Sequence, residues 1–153
     1  IHVCQLRPKS RGFVRLSDSD PRSAPLIDPC YFSDSDDIRV LREGVKLARR
    51  VFRTEAFASI FGGDDLPATE VVTDEQIDAD IRQRAESIYH PVGTCRMGED
   101  ELAVVDSRLR VRGVSGLRVA DASVMPLLIS GNTNAACMMI GEKAATYVLE
   151  DNA

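Results

Sequence analysis

Leu117-Arg118-Val119-Ala120-Asp121 has the pattern of a short β-strand that ends at an acidic residue. Apolar and polar side chains alternate over residues 117–119, as they do in a half-buried strand. An apolar pattern with helical spacing follows further along the chain and predicts a helix from about Thr133 to Leu149. A strand, a loop and a helix in this order favour a ligand site at the carboxyl end of the strand.

Two features near that strand end could bind a ligand. The carboxylate of Asp121 can accept hydrogen bonds from sugar-like hydroxyl groups. The first turn of the final helix has unpaired N–H groups and a positive dipole end, which suit a phosphate or an anionic ring edge. The alternative is that Asn132 only caps the helix and Asp121 only ends the strand, because asparagine is a common cap residue. The residues alone leave both interpretations open.

The segment Tyr89-His90-Pro91-Val92-Gly93-Thr94-Cys95-Arg96-Met97-Gly98 contains one of the two histidines of the chain. Histidine is the side chain best suited to exchange protons near neutral pH. Pro91 biases the backbone of His90 towards extended geometry, and Gly93 permits a turn. The pattern predicts a histidine presented at the end of an extended segment. The alternative is a hydrogen-bonded histidine packed in a turn.

The first half of the chain is predicted to begin with a β-hairpin. Its strands are expected at residues 1–6 and 12–16, on either side of the turn-like run 8–11. A loop rich in Ser, Asp and Pro is expected from residue 17 to residue 29. A second loop is expected at 62–67, where two glycines precede two aspartates.

Two helices are predicted in the same half. Helical spacing of apolar residues predicts the first from Asp34 to about Phe52, with Ser33 and Asp36 as its capping pair. The inner face would comprise Ile38, Leu41, Val45, Ala48 and Phe52. A second helix is expected from Thr73 to before residue 87, with a capping box between Thr73 and Gln76. Its inner face would comprise Ile77, Ile81 and Ala85.

Three short strands are predicted between residues 103 and 121, where glycines interrupt β-like runs. They are Val104-Val105, 109–112 and 117–119. The predicted fold class is therefore α+β. A sheet with flanking helices would occupy residues 1–85, and residues 86–153 would end in a strand and a long helix.

Composition excludes several classes of function. The 153 residues are 44% hydrophobic and 28% charged, as in globular proteins, and could bury a core. The net charge of −5 and the absence of tryptophan argue against nucleic-acid binding. The longest apolar run, Ala135 to Ile140, is too short to cross a bilayer. The four cysteines form no Cys-x-x-Cys pair, so we expect no metal site and free, buried thiols.

Several motifs in fixed order resemble the C-terminal part of the glucose-methanol-choline (GMC) flavoprotein oxidoreductases. The motifs are Tyr89-His90-Pro91-x-Gly93-Thr94-x-x-Met97-Gly98, Val105-Asp106, Gly116 to Pro126, Gly131-Asn132-x-Asn134-Ala135 and Met139 to Ala145. The early segments Arg7-Pro8-x-Ser10-x-Gly12 and Asp28-Pro29 resemble the substrate domain of the family. The match extends over nearly the whole chain, and an ordered set of motifs is more specific than any single one.

The resemblance implies a catalytic pair and a cofactor. In this family the histidine that matches His90 lies over the flavin of FAD and acts as acid and base. The residue that matches Asn132 pairs with it across the substrate oxygen. The residue that matches Ile88 faces the substrate pocket. The family's FAD contacts map onto Asp121, Ala122, Asn132, Thr133 and Asn134.

The implied function is oxidation of a primary alcohol, as in the choline-type dehydrogenases and oxidases of this family. Proton abstraction from the hydroxyl would accompany hydride transfer to FAD, and residues 86–153 would return to complete the FAD-binding domain. A different class of function, a non-catalytic binding or interaction module, is the main alternative. A nicotinamide-dependent enzyme is disfavoured, because no strand-turn-helix with Gly-x-Gly-x-x-Gly occurs in the chain.

The same missing fingerprint leads us to expect that the chain is the C-terminal portion of a longer enzyme. Its partner would then be an N-terminal FAD-binding part, without which we expect FAD binding to be weak or absent. We also expect a homo-oligomer, because apolar residues surround much of the final helix. The expected location is the cytoplasm, and peripheral membrane association of the full-length enzyme is the alternative.

Overall fold

The computed structural model describes residues 2–63 and 70–152. Within these ranges there are three α-helices and one sheet of two strands, which confirms the predicted α+β composition. The backbone divides into two compact units, Ile1–Ile88 and Tyr89–Ala153. The predicted loop at 62–67 lies largely outside the described residues.

The first unit contains a two-stranded sheet in which the strand predicted at 12–16 is present, but its partner is not the predicted strand at 1–6. Strand β1 (Phe13–Arg15) pairs antiparallel with β2 (Leu26–Asp28), which lies inside the segment predicted as a loop. Residues 2–6 form no strand. Gly12 explains the close approach of the two strands, because a Cβ atom there would overlap the carbonyl oxygen of Asp28.

The run 8–11 does not form the predicted hairpin turn, and its backbone binds a buried carboxylate instead. The N–H groups of Lys9 and Ser10 donate to Asp37 at 2.9 Å and 2.8 Å. Gln5 Nε2 donates to the same carboxylate at 3.3 Å. Burial raises the pKa of Asp37, but these hydrogen bonds outweigh it, so the pKa lies below its usual value. The segment before β1 is therefore anchored to a helix.

Helix α1 spans Ser35–Phe52 and begins one residue later than predicted. The prediction that Ser33 caps this helix is wrong. The side chain of Asp34 caps the helix instead and accepts a hydrogen bond from the N–H of Asp36 at 2.9 Å. Asp34 has extended backbone geometry, which brings its carboxylate over the first turn.

Helix α2 spans Asp74–Arg84, and the predicted capping box of Thr73 and Gln76 is confirmed. Ile77 and Ile81 are buried as predicted, and together with Ile38 of α1 they form the core of the first unit. Ala85 is exposed beyond the end of the helix, so its predicted place on the inner face is wrong.

The backbone segments of the second unit are paired by isolated β-bridges rather than by regular strands. Val105 pairs with Met97 and Val111, and Arg110 pairs with Arg118. The three predicted strands are thus each reduced to isolated pairs. The side chain of Asp106 contributes to this, since it accepts the N–H groups of Arg108 and Arg110 and turns the chain between them.

The core of the second unit lies under α3, which spans Asn134–Asp151. The buried residues of this core are Val105, Leu109, Val124, Met125 and Ile140. The helix begins one residue later and ends two residues later than predicted. Of the helices in the described ranges, none is both long enough and apolar enough to span a bilayer.

Candidate functional site

The backbone around His90 is bent by an unusual conformation on either side. Tyr89 has a φ of 65° and Gly93 a φ of 91°. Positive φ is strained for tyrosine and unstrained for glycine. The turn that was predicted at Gly93 is therefore present, and His90 is half-buried just before it.

The segment after Gly93 is fastened to the short 3₁₀ helix Ala122–Val124. The N–H of Cys95 donates to the carbonyl oxygen of Ser123 at 3.0 Å, and the N–H of Met97 donates to that of Val124 at 2.8 Å. Val124 is itself 1% exposed and belongs to the core. His90 is therefore carried by a segment that is anchored to the interior of the second unit.

The start of α3 lies directly beside His90. Thr133 occupies the N-cap position but makes no side-chain cap hydrogen bond. Asn132, the residue before it, is exposed and also does not cap the helix. The interpretation that Asn132 merely caps α3 is therefore wrong.

Both ring nitrogens of His90 have hydrogen-bond partners at the start of α3. His90 Nε2 lies 3.2 Å from Asn132 Oδ1, and His90 Nδ1 lies 3.2 Å from Thr133 Oγ1. The structure thus brings the predicted pair together from positions 42 residues apart. It adds the hydroxyl of Thr133, a contact that the sequence did not reveal.

These contacts are compatible with either neutral tautomer of the ring. An amide oxygen at Nε2 requires a proton on that nitrogen, and the Thr133 hydroxyl then donates to Nδ1. If the amide of Asn132 is turned by half a rotation, its NH₂ group donates to a bare Nε2, and Nδ1–H donates to the Thr133 oxygen. In both states the ring is bound on its two sides, so its plane is fixed.

Asp121 and Ala122 lie at the other end of the 3₁₀ helix and serve the local fold. The carboxylate of Asp121 is exposed and accepts the N–H of Ser123 at 2.7 Å. Ala122 is half-buried and packs against the core of the second unit. Their predicted contacts with FAD stay predictions.

The two remaining predicted site residues are open to solvent. Asn134 is the first residue of α3 and is exposed. Ile88 belongs to the first unit and is 44% exposed. The predicted roles of Asn134 at FAD and of Ile88 at the substrate also stay predictions.

The second unit has a surface pocket of about 390 Å³, but His90 does not line it. Its charged lining residues already have partners. Arg110 pairs with Asp106 at 2.8 Å, and Arg118 pairs with Asp151. His90 and this pocket are thus in different places in the second unit.

Comparisons with known proteins agree with the motifs. The family model described as GMC oxidoreductase matches residues 8–141. The chain is 50% identical over 149 residues to an alcohol dehydrogenase [acceptor] of Pseudomonas putida, which covers 97% of the chain and 27% of that protein. It is 46% identical over 147 residues to an oxygen-dependent choline dehydrogenase of Cronobacter sakazakii, which covers 96% and 26%.

A solved structure is similar over nearly the same extent. An FAD-dependent oxidoreductase from Chaetomium thermophilum matches with a TM-score of 0.89 at 31% identity, over 96% of this chain and 26% of that one. The chain thus spans about a quarter of the length of the relatives it matches. The resemblance inferred from the motifs is confirmed.

Proposed function

Because the chain belongs to the GMC oxidoreductase family, we propose that it is the C-terminal, catalytic part of an FAD-dependent oxidoreductase that oxidises a primary alcohol to an aldehyde. The observation that carries this proposal is the imidazole of His90 held between Asn132 and Thr133. In the proposed enzyme, residues 1–85 belong to the substrate domain. Residues 86–153 carry the catalytic pair and return to the FAD-binding domain.

The proposed reaction removes two hydrogens from the alcohol, one as the hydroxyl proton and one as a hydride from the carbon. His90 accepts the hydroxyl proton at Nε2, the nitrogen that faces Asn132. The amide of Asn132 donates a hydrogen bond to the same oxygen as negative charge develops on it. FAD, when bound, supplies the acceptor for the hydride and its two electrons, which no side chain can accept. The alcohol thereby becomes an aldehyde.

The donor groups at the start of α3 fit a flavin. The cap position leaves the N–H groups of the first turn without a side-chain acceptor. Asn134 and Ala135 are exposed there, and Ala135 is small enough to let a ring edge approach the backbone. N–H donors at a positive helix end suit the carbonyl oxygens and the negative edge of the flavin pyrimidine ring.

Further parts of the proposal rest on the surface of the second unit. Asp121 and Ala122 would contact FAD together with Asn132, Thr133 and Asn134, and Ile88 would face the alcohol. Met138 and Leu149 of α3 are 61% and 73% exposed, which supports association with the N-terminal part of the enzyme or between copies. The four cysteines are free and half-buried, which supports a cytoplasmic location.

The test uses a chimera in which this chain replaces the matching segment of the Pseudomonas putida alcohol dehydrogenase. We expect the chimera to bind FAD and to be reduced by primary alcohols. His90→Ala should lower the rate constant of flavin reduction by about 10²–10⁴-fold, the range for loss of a general acid/base. His2→Ala removes the other histidine, which is exposed in the first unit, and should leave the rate unchanged.

Stopped-flow absorbance under anaerobic conditions measures the reduction, and the flavin spectrum measures FAD content. A chimera that binds FAD but is reduced by no alcohol would favour the non-catalytic module. Near-parental reduction in the His90→Ala variant with FAD bound would remove His90 as acid/base.

A further inference from the structure

The hydroxyl of Thr133 has a partner that is unusual for its position. Threonine at an N-cap normally accepts a hydrogen bond from an N–H of the first helical turn. Thr133 makes no such bond. Its backbone has a φ of −79° and a ψ of −12°, which is helical rather than extended geometry. In this conformation the side chain does not cap the helix, and its Oγ1 lies beside His90 Nδ1.

The surroundings of this contact favour a firmly held hydroxyl. Thr133 is only 8% exposed, although Asn132 and Asn134 on either side are exposed. Its carbonyl oxygen accepts the N–H of Cys137 at 2.9 Å, which ties its backbone to the first turn of α3. A buried hydroxyl on a fixed backbone has little freedom to leave the imidazole, and losing the partner would carry a desolvation cost.

We propose that Thr133 is a positioning residue whose hydroxyl holds His90 Nδ1, so that Nε2 is the nitrogen that exchanges a proton with the substrate oxygen. This inference rests on the function proposed above for His90. A hydroxyl can donate to a bare Nδ1 and can accept from a protonated one. It therefore keeps the ring in one plane while Nε2 gains or loses its proton.

The two ring nitrogens of His90 have partners that differ in exposure. Thr133, which is buried, binds Nδ1, and Asn132, which is exposed, lies at Nε2. A substrate oxygen can therefore reach Nε2 from the exposed side. When Nε2 accepts the proton, the imidazolium carries N–H on both nitrogens and Thr133 accepts from Nδ1.

The kinetic test compares three threonine variants in the chimera. Thr133→Val keeps the shape and removes the hydroxyl, Thr133→Ser keeps the hydroxyl, and Thr146→Val removes an exposed hydroxyl of α3 that bonds to Glu142. We expect Thr133→Val to lower kcat by about 10–100-fold, as for residues that orient a metal-bound histidine. KM for the alcohol and FAD content should change much less than kcat. Thr133→Ser should restore the rate, and Thr146→Val should not alter it.

A spectroscopic test on the 153-residue chain is independent of activity. With ¹⁵N-labelled histidine the chain contains two imidazoles, and His2→Ala assigns them. We expect the Nδ1 resonance of His90 to move in Thr133→Val and to keep its position in Thr133→Ser. Thr133→Ala replaces the valine variant in both tests if thermal melts or FAD content show that valine disturbs the fold.

The outcomes separate the two proposals. If His90→Ala slows flavin reduction but neither Thr133→Val nor Thr133→Ala does, the positioning role fails and the proposed function stands. If His90→Ala leaves the rate unchanged, the proposed function fails. An Nδ1 resonance that is the same with and without the hydroxyl overturns the positioning role by itself.

Discussion

Thr73 and Thr133 occupy the same position at the start of two helices, yet their hydroxyl groups bind different partners. Both have a φ of −79°, but ψ is 160° at Thr73 and −12° at Thr133. Thr73 Oγ1 accepts the N–H of Gln76 at 3.2 Å, and Gln76 Oε1 accepts the N–H of Thr73 at 3.0 Å. Thr133 makes no cap hydrogen bond, and its hydroxyl lies beside His90.

The difference separates a helix start whose hydroxyl caps its own first turn from one whose hydroxyl binds a residue distant in the chain. The start of α2 is closed by residues three positions apart, and Thr73 is exposed. At the start of α3 the threonine is buried, and its partner is 43 positions away in the chain. The first-turn N–H groups of α3 are left without a capping side chain, which is the arrangement that favours an anionic ligand.

The largest effect that tests this contrast is expected from Asn132→Ala in the chimera. Loss of the amide should lower the rate constant of flavin reduction by about 10²–10³-fold, as for one donor to a developing oxyanion. FAD content should change less than the rate, and the melting temperature should change little because Asn132 does not cap α3. Stopped-flow reduction and thermal melts of one preparation measure both properties.

Asn152→Ala is the matched control for Asn132→Ala at the opposite end of α3. The amide of Asn152 donates to the carbonyl oxygen of Val148 at 2.7 Å. Its loss should leave the rate unchanged. A lowered melting temperature with an unchanged rate in Asn132→Ala would instead assign Asn132 to the stability of the helix.

A smaller effect, on stability alone, is expected at the start of α1. Asp37→Asn places an amide against the N–H groups of Lys9 and Ser10 and should cost about 1–3 kcal/mol of unfolding free energy. Because the folded-state pKa of Asp37 lies below its unfolded value, this contribution is present above pH about 4. It is lost as the pH falls through the folded-state pKa.

Urea unfolding of the 153-residue chain and its Asp37→Asn variant, from about pH 7 to about pH 2, checks this prediction. The difference in stability between the two should shrink as the pH falls. Asp36→Asn removes ion pairs with Lys9 and Arg39 at half-exposed positions and should show a smaller loss. A difference that does not depend on pH would mean that the Asp37 charge does not stabilise the fold.

The smallest effect is expected from Thr73→Ala, which breaks the capping box of α2. The loss of one cap should cost about 1 kcal/mol of unfolding free energy and leave flavin reduction by the chimera unchanged. Thr73→Ser keeps the hydroxyl and should retain most of the stability. Thr133→Val is expected to slow flavin reduction and Thr73→Ala is not. A slowed reaction in Thr73→Ala would therefore contradict the distinction between the two helix starts.

Local interactions explain which parts of the fold were predictable. Helices α1 and α2 are predicted to within a few residues, because an apolar face at helical spacing is readable from neighbouring positions, as is the capping box of α2. The hairpin partner was predicted wrongly. Pairing of β1 with β2 depends on contact between Gly12 and Asp28, and the sequence does not show that the run 8–11 is held by Asp37.

The sequence by itself determined the identity of the chemical groups, since the motifs around His90 and Asn132 single out these two residues. It also determined that a helix begins beside Asn132. Only the tertiary structure decided that both nitrogens of His90 are engaged and that the partner of Nδ1 is Thr133. The ψ angle of Thr133 and the docking of residues 95–97 on Ala122–Val124 bring these groups together. The two contacts of His90 link residues more than forty positions apart, so no periodicity or spacing along the chain encodes them.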